Sequence, residues 1–305
     1  MNMSEPTQFS SAELRGEMLR DEPMSRHVSW RAGGSARRVY QPADLDDLQA
    51  FLRQVPADEP LLAVGLGSNL LVRDGGFAGT VLLMVGALTE LRMEGDMVYA
   101  QAGVAGAKLA RFVAGQGLCG AEFFVGIPGT LGGMLAMNAG CYGGETWGAV
   151  QRVQVLTRSG ELVERTPQEY EIGYRHVALC QPSEEWFVGA WLRFAPGDVE
   201  AAKREIKALM EKRSASQPLQ MPNAGSVFRN PPGQHAAKLI EGCGLKGRRI
   251  GGAEVSQKHA NFIVNVGDAT AADIEGLIGE VRATVLRETG VELHPEVRIV
   301  GEGAK

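Results

Sequence analysis

The sequence lacks the signatures of a metalloprotein, a disulfide-rich protein or a membrane protein. It has only 4 cysteines among 305 residues, with no Cys-x-x-Cys pair and no histidine at ligand spacing, so neither a metal site nor a disulfide framework is predicted. We expect these cysteines to be reduced and mostly buried. No run approaches the roughly 20 apolar residues of a membrane span, and no signal or transit peptide is recognisable. A cytoplasmic protein without a membrane partner is predicted.

Clustered positive charge is also missing. The formal net charge is −5, whereas proteins that bind nucleic acid usually show clusters of Lys and Arg. Nucleic acid is therefore not expected as the main partner, although a local basic spot could bind a single nucleotide. The hydrophobic fraction of 44% and the charged fraction of 22% are ordinary for a globular chain, and the length predicts two domains.

A third missing feature is the last glycine of a dinucleotide-binding fingerprint. Gly65 and Gly67 follow a short apolar run, as in Gly-x-Gly-x-x-Gly, but Leu70 occupies the place of the final glycine. That glycine lets a helix pack tightly on the strand, so a Rossmann helix is not predicted here. Ser68 and Asn69 lie beside consecutive backbone N–H groups, a composition that suits an anion-binding nest.

Glycine itself is abundant, at 40 of the 305 residues. Seven of the glycines fall in "GIPGTLGGMLAMNAGCYGG", residues 126–144, and this density predicts a loop system with one short helix, because a helix or sheet interior would lose stability. Either glycine-rich stretch alone is more often a structural turn than a binding site. Two of them in one domain could clamp a pyrophosphate from two sides.

Hydrophobic periodicity predicts an α+β fold. A helix is expected at 107–114, and short strands are expected at 61–64, 81–85, 98–101, 150–157, 162–165 and 186–194. Asp198 is expected to cap a helix ending near "KRSASQP", and we place the domain boundary before this helix. Beyond it the pattern predicts helices at 235–241 and 270–290, and strands at 260–266 and around Pro295.

Five motifs together make the chain resemble one known family. "GLGSNLLVRDGGF", "VGIPGTLGGMLAMNAGCYGGE", "YEIGYR", "NAGSVFRNP" and "LHPEVRIVGE" occur in this order within residues 25–302, and they resemble those of the UDP-N-acetylenolpyruvoylglucosamine reductases. The resemblance implies a two-lobed FAD-binding region of the vanillyl-alcohol-oxidase (PCMH) type at 25–197. It further implies a C-terminal α+β substrate-binding domain at 198–305, preceded by an N-terminal segment at 1–24.

The resemblance also implies which residues bind the ligands. Both glycine-rich stretches lie along the FAD diphosphate in this family, and the implied cofactor contacts are Gly65, Gly67, Ser68, Asn69, Leu70, Gly126, Ile127, Pro128, Gly129, Thr130, Asn138 and Gly140, with Arg298 near the flavin. The motif "SWRAGG", residues 29–34, is expected to support the same cofactor. Substrate contacts are expected from Asn230, Lys258 and His259, and no metal is required.

The implied reaction is the NADPH-dependent reduction of UDP-N-acetylglucosamine-enolpyruvate to UDP-N-acetylmuramate through non-covalently bound FAD, in peptidoglycan precursor synthesis. The resemblance of the motifs implies that Arg175, Ser226 and Glu296 are the catalytic residues. Arg175 would stabilise the negative charge that develops on the substrate, and Ser226 would deliver a proton to the α-carbon. An ionised Glu296 would repel that charge, so we expect a raised pKa and a neutral acid that donates a hydrogen bond.

Some features leave questions open. Val177 replaces a small polar residue that many family members carry two places after the arginine, so the group that orients Arg175 is not identified. The short stretch between Arg175 and Ser226 resembles the variant class that lacks an inserted, tyrosine-bearing loop. A monomer is expected. Two other functions stay open, a flavin oxidase or dehydrogenase for a sugar or alcohol and a nucleotide-binding module without turnover; retention of all three catalytic residues argues against the second.

Overall fold

The first lobe is a small sheet covered by one helix. The computed structural model describes residues 14–304, and this lobe contains β1 (Glu17–Pro23), β2 (Ser35–Gln41), α1 (Leu45–Gln54), β3 (Leu61–Val64), β4 (Leu70–Val72) and β5 (Phe77–Leu83). Its sheet has the order β1-β2-β5-β3, with β1 antiparallel to β2 and the other pairs parallel. Asp44 caps α1 by accepting a hydrogen bond from the N–H of Asp47, and Leu48 and Phe51 are fully buried.

The second lobe is built on an antiparallel sheet of order β12-β11-β15-β7-β6. Its elements are β6 (Leu91–Glu94), β7 (Met97–Gln101), α2 (Gly106–Gly115), β8 (Leu118–Cys119), α3 (Leu131–Ala136), β9 (Gly140–Cys141), β10 (Gly144–Glu145), β11 (Val150–Thr157), β12 (Leu162–Arg165), β13 (Tyr170–Gly173), β14 (His176–Leu179), β15 (Glu185–Leu192), β16 (Ala195–Pro196) and α4 (Val199–Ser216). Val153 and Val155 point from β11 into the core that α2, α3 and α4 share.

The hairpin of β13 and β14 ends in a two-residue turn. The strands pair from Tyr170 opposite Leu179 to Gly173 opposite His176, so that the turn consists of Tyr174 and Arg175. Arg175 has a φ of +54°, in the left-handed region that a side chain rarely adopts. Such conformations are held by surrounding contacts and cluster at functional sites.

The C-terminal domain packs a long helix on a three-stranded antiparallel sheet. Its elements are α5 (Ala236–Gly242), β17 (Arg249–Ile250), β18 (Ala253–Val255), β19 (Ile263–Asn265), α6 (Ala271–Thr289) and β20 (Arg298–Val300). A capping box of Thr270 and Asp273 begins α6, and Gly290, with a φ of +72°, ends it.

The two domains are tied together beside the first glycine-rich loop. The last strand, β20, pairs in parallel with β4, and β4 directly follows that loop in the sequence. Asp74 accepts hydrogen bonds from the N–H groups of Ala271 and Ala272 at the start of α6. Trp30, from the first lobe, is fully buried in the core of the C-terminal domain and donates to the carbonyl of Ile263 at 2.7 Å. The loop is therefore held by both domains.

The structure confirms the predicted α+β fold and corrects several details. The strands at 61–64, 150–157 and 162–165 have the predicted bounds, but the strand near 260–266 covers only 263–265, and the one near Pro295 covers 298–300. The expectation of mostly buried cysteines is wrong, because Cys180 is exposed and the other three are half-buried; all four are free. No helix in residues 14–304 is long and apolar enough to cross a membrane.

The predicted domain limits remain predictions, and two contacts bear on them. Residues 1–13 of the N-terminal segment lie outside the described part of the chain, whereas β1 pairs with β2 inside the first lobe. Ala202 and Ile206 of α4 belong to the core of the second lobe. The helix after the predicted boundary at 197/198 therefore packs with the preceding domain.

Candidate active site

A cavity of about 520 Å³ lies where the two lobes meet the C-terminal domain. Ligand pockets span about 300–1,000 Å³, so this one is large enough for a sizeable ligand. It brings together residues that are far apart in the sequence. Ten of the predicted site residues line it: Ser68, Asn69, Gly126, Ile127, Pro128, Gly140, Arg175, Ser226, Asn230 and Glu296.

The cavity is cationic. Arg31, Arg175 and Arg213 line it, whereas Glu296 is the single acidic residue among its described lining. Arg213 donates to the carbonyl of Val125 and to Gln217, and it has no carboxylate partner within residues 14–304. Because burial destabilises that unpaired cation, the pKa of Arg213 is lowered. In a chain of net charge −5, such a site favours anionic ligands.

The first glycine loop, residues 65–70, leaves its amides available. It connects β3 to β4, and the N–H groups of residues 66–69 have no acceptor within the described residues. Gly67 has a φ of +58°, and a Cβ there would lie 2.1 Å from the carbonyl oxygen of His27. Glycine is required at this turn, and the turn presents a row of unpaired amides of the kind that binds a phosphate.

The second glycine segment, residues 126–140, is bonded differently. The N–H of Ile127 donates to Phe124, and the N–H of Gly129 donates to Ile127, while Pro128 has none. The first two amides of α3 donate to the carbonyls of Val104 and Ala102, whereas the N–H groups of Thr130 and Gly133 have no acceptor within the described residues. Most amides of this segment are thus bonded within the protein, and contact of either segment with a diphosphate stays a prediction. Ile127 and Pro128 line the cavity.

Arg175 meets Glu296 inside the cavity. Its Nε donates to Glu296 Oε1 at 3.2 Å, its Nη1 to the carbonyl of Asn138 at 3.2 Å and its Nη2 to the carbonyl of Gly140 at 2.6 Å. A guanidinium has five N–H groups, so one hydrogen on each Nη stays available within the described part of the chain. These hydrogen bonds orient Arg175 and answer the question that Val177 raised.

Ser226 and Glu296 are neighbours, although they are 70 positions apart in the sequence. The N–H of Glu296 donates to the carbonyl of Val227 at 2.7 Å, which holds the two segments side by side. The carbonyl of Glu296 accepts a hydrogen bond from Asn69 Nδ2 at 3.1 Å. The first glycine loop thus contacts the segment that carries the acid.

Burial raises the pKa of Glu296, and the cations of Arg175 and Arg229 oppose this shift without cancelling it. The direction agrees with the expectation from the sequence. The hydroxyl of Ser226 lines the same cavity, and within residues 14–304 it has no hydrogen-bond partner. A donor hydroxyl, an acid held toward its neutral form and a fixed cation are therefore present at one place.

The remaining predicted residues are not among those that line the cavity. The group comprises Gly65, Gly67, Leu70, Gly129, Thr130, Asn138, Lys258, His259 and Arg298. Lys258 Nζ donates to the carbonyl of Ser214 at the end of α4, and burial lowers the pKa of His259, which favours its neutral form. The side-chain amide of Asn138 is engaged by protein atoms. Contacts of these residues with a ligand stay predictions.

Sequence reasoning did not find Arg213 or Tyr174, which also line the cavity. Arg213 stands near the end of α4 in a polar run, where an arginine is usually solvated. Tyr174 adjoins Arg175 and is 46% exposed, with its ring 4.9 Å from the guanidinium carbon. The glycine-rich "SWRAGG" motif was the signal for Arg31 and Ser29, both of which line the cavity.

A loop with unpaired amides that contributes Ser68 and Asn69 to a cationic cavity fits a nucleotide cofactor with a diphosphate. The sequence model described as "FAD binding domain" matches residues 36–166, which include that loop, and the protein is therefore an FAD-binding flavoprotein. The model described as "UDP-N-acetylenolpyruvoylglucosamine reductase, C-terminal domain" matches residues 217–300.

Full-length relatives agree with both matches. A UDP-N-acetylenolpyruvoylglucosamine reductase from Thiobacillus denitrificans is 61% identical over 95% of this chain and 94% of its own length. One from Alkalilimnicola ehrlichii is 59% identical over 94% of this chain and 96% of its own length. The crystal structure of the Thermus caldophilus reductase has a TM-score of 0.80 at 31% identity and covers 94% of this chain and 99% of its own. The chain belongs to the UDP-N-acetylenolpyruvoylglucosamine reductase family.

Proposed function

We propose that the cavity is the site at which this enzyme carries out its family's reaction. The enzyme reduces UDP-N-acetylglucosamine-enolpyruvate to UDP-N-acetylmuramate, with NADPH as the hydride donor, in peptidoglycan precursor synthesis. FAD, when bound, accepts hydride from NADPH and supplies it to the β-carbon of the enolpyruvyl group. Family membership decides against the two alternatives that the sequence left open, a sugar or alcohol oxidase and a binding module without turnover.

Arg175 would hold the substrate carboxylate. Its two available N–H groups, one on each Nη, match the two oxygens of a carboxylate, and the other three are fixed by Glu296, Asn138 and Gly140. Hydride addition at the β-carbon leaves negative charge on the α-carbon and the attached carboxylate. A permanently charged and immobilised guanidinium stabilises that charge with little reorganisation.

Glu296 would act as a neutral acid. Its raised pKa favours the protonated form, and a protonated carboxyl donates a hydrogen bond to the same developing charge, whereas a carboxylate would repel it. Arg175 and Glu296 would then act together on one oxygen-rich region of the substrate. The observation that carries this proposal is their contact in a cavity that also contains the hydroxyl of Ser226.

Ser226 would donate a proton to the α-carbon and regain it from water. A hydroxyl is a weak acid, but the enediolate-like intermediate is a strong base, so the transfer is favourable once hydride has been added. The overall product gains one hydride at the β-carbon and one proton at the α-carbon.

The test separates the two half-reactions in the absence of oxygen. We expect Ser226→Ala to leave the reduction of the flavin by NADPH nearly unchanged and to slow its reoxidation by the enolpyruvyl substrate about 10²–10⁴-fold, the usual contribution of a general acid. Ser183→Ala, which removes an exposed hydroxyl outside the cavity lining, serves as the control. Equal losses in both half-reactions would refute the assigned role.

We further propose a division of the remaining tasks. Ser68 and Asn69 would hold the FAD diphosphate with the amides of the first glycine loop, and Asn230 would contact the nucleotide part of the substrate. The packing of α4 on the second lobe supports a domain boundary near residue 217, where the C-terminal family match begins. We propose that the enzyme is a monomer and acts in the cytoplasm.

A further inference from the structure

The groups that orient Arg175 are themselves held by a buried side chain. Both carbonyls that receive the guanidinium belong to the short segment from Asn138 to Gly140, at the end of the second glycine segment. Asn138 has a φ of +45°, and its side chain is 2% exposed. A non-glycine residue keeps this conformation when its surroundings fix it, and Asn tolerates it better than most residues do.

The side-chain amide of Asn138 is fully engaged. Its Nδ2 donates to Glu145 Oε2 at 2.9 Å and to the carbonyl of Gly173 at 3.1 Å, and its Oδ1 accepts from the N–H of Trp147 at 3.1 Å. Both donor hydrogens are therefore used, so this amide cannot also donate to a ligand. Gly173 lies two residues before Arg175 at the end of β13. The side-chain amide of Asn138 thus links residues 138–140, whose carbonyls receive the guanidinium, to the hairpin that carries Arg175.

We propose that Asn138 and Glu145 are positioning residues for Arg175. Glu145 fixes the amide of Asn138, and Asn138 fixes both the carbonyls that receive the guanidinium and the base of the hairpin that presents it. This inference rests on the proposed role of Arg175 and assigns Asn138 a task other than direct contact with the cofactor. The chemistry it serves is recognition of the carboxylate on the enolpyruvyl group.

Glu145 offers the cleaner variant because it is exposed, whereas Asn138 is buried. We expect Glu145→Ala to remain folded with bound flavin and with an unchanged rate of reduction by NADPH. Reoxidation by the enolpyruvyl substrate should slow about tenfold, less than the roughly 10² that a 1 Å misplacement of a reacting group can cost. The Kd of the substrate for the oxidised enzyme, read from the change in the flavin spectrum, should rise. Glu145→Gln keeps an acceptor oxygen and should restore both values.

The matched control is Glu171→Ala. Glu171 is an exposed glutamate on β13 of the same hairpin, and within the described residues its side chain makes no hydrogen bond or ion pair. Glu171→Ala removes the same negative charge as Glu145→Ala, and it leaves the hydrogen bonds of Asn138 in place. If Glu145→Ala and Glu171→Ala behave alike, or if Glu145→Ala slows both half-reactions equally, the positioning role is wrong.

Exchanging donor and acceptor gives a second, independent test. Asn138→Asp keeps the size and the acceptor for Trp147 but cannot donate, and it places a carboxylate against Glu145. Adding Glu145→Gln supplies an amide that donates back to the new carboxylate, so the double variant should reoxidise faster than Asn138→Asp alone. An absence of rescue would overturn the inference. Arg175→Ala distinguishes failure of the proposed function from failure of this inference. If Arg175→Ala leaves reoxidation unchanged, the proposed role of Arg175 itself is wrong.

Discussion

The first glycine loop and the second glycine segment use the same residue for different purposes. In the first, Gly67 allows a left-handed turn that leaves the amides of residues 66–69 without acceptors among residues 14–304. In the second, the amides are largely bonded, and glycine allows close packing: a Cβ on Gly126 would lie 2.5 Å from Cys141 Sγ, and a Cβ on Gly140 would lie 2.3 Å from the carbonyl of Gly144. Glycine density therefore does not by itself predict a phosphate site; the unpaired amides of the first loop are what favour one there.

The two segments also touch each other. A Cβ on Gly65 would lie 2.2 Å from the hydroxyl oxygen of Thr130, whose side chain is buried. The second segment therefore supports the first loop at Gly65. The comparison predicts that substitutions at the unpaired amides of the first loop cost cofactor, whereas those in the second segment, or at the contact between the two, cost stability or nothing.

The largest effect on the cofactor is expected from Gly67→Ala. A left-handed conformation costs a non-glycine residue about 1–2 kcal/mol, and the added Cβ would also collide with the backbone of His27 and Val28, so the loop must shift. We expect FAD to bind at least about 100-fold more weakly, equivalent to about 3 kcal/mol. The flavin absorbance of the purified protein and a titration with FAD measure this loss. Stoichiometric flavin in a correctly folded variant would contradict the role of the loop.

The next largest effect is expected at Glu296, in the part of the cavity where side chains, and not backbone amides, are proposed to contact the ligand. Glu296 has a raised pKa, so it is protonated at lower pH and loses its proton as the pH rises. Above that pKa the rate of flavin reoxidation should fall about tenfold per pH unit, because one proton is lost. Glu296→Gln keeps an N–H donor and cannot titrate, so this decline should disappear while FAD binding is retained. A pH profile that the substitution leaves unchanged would exclude Glu296 as the titrating group.

The same shift has a consequence for stability. Because the folded protein holds this proton more tightly than the unfolded chain does, the stabilisation is fully present below the unfolded pKa and is lost as the pH rises through the folded pKa. The wild type should therefore lose more stability than Glu296→Gln over that range, as measured by thermal unfolding at a series of pH values.

A smaller effect is expected where the two segments touch. Gly65→Ala overpacks the buried side chain of Thr130, and overpacking typically costs about 1–3 kcal/mol. Thr130→Ala removes the colliding oxygen, so the double variant should be more stable than the sum of the two single effects, by about 1 kcal/mol. Chemical denaturation of the four proteins of this cycle measures the coupling. Additive effects would show that the two segments do not support each other.

The smallest effect is expected from Gly129→Ala. The nearest atoms to an added Cβ are 3.7–3.8 Å away, which is ordinary contact, and the backbone is not left-handed. We expect a change in unfolding free energy within about 0.5 kcal/mol and full flavin content. Loss of flavin in this variant would mean that the backbone of the second segment also approaches the cofactor closely. The two segments would then not differ in their role toward the cofactor.

The sequence predicted what depends on local pattern. The capping box at Thr270, the glycine end at Gly290 and the strand at 150–157 are local signals, and the structure confirms them. The hairpin of β13 and β14 was not predicted, since its turn is Tyr174-Arg175 and contains no glycine, asparagine or aspartate. The meeting of Ser226 with Glu296 was implied only by family resemblance, because their proximity depends on a contact between distant segments.

The buried indole of Trp30 constrains how the molecule moves. It projects from the first lobe into the opposite core and bonds to Ile263, and Asn265 holds its backbone carbonyl. Withdrawing such a side chain would forfeit about 3–5 kcal/mol, the usual loss when a large aromatic group leaves a core. Opening the two domains like a hinge would therefore cost a large share of the free energy that keeps the protein folded.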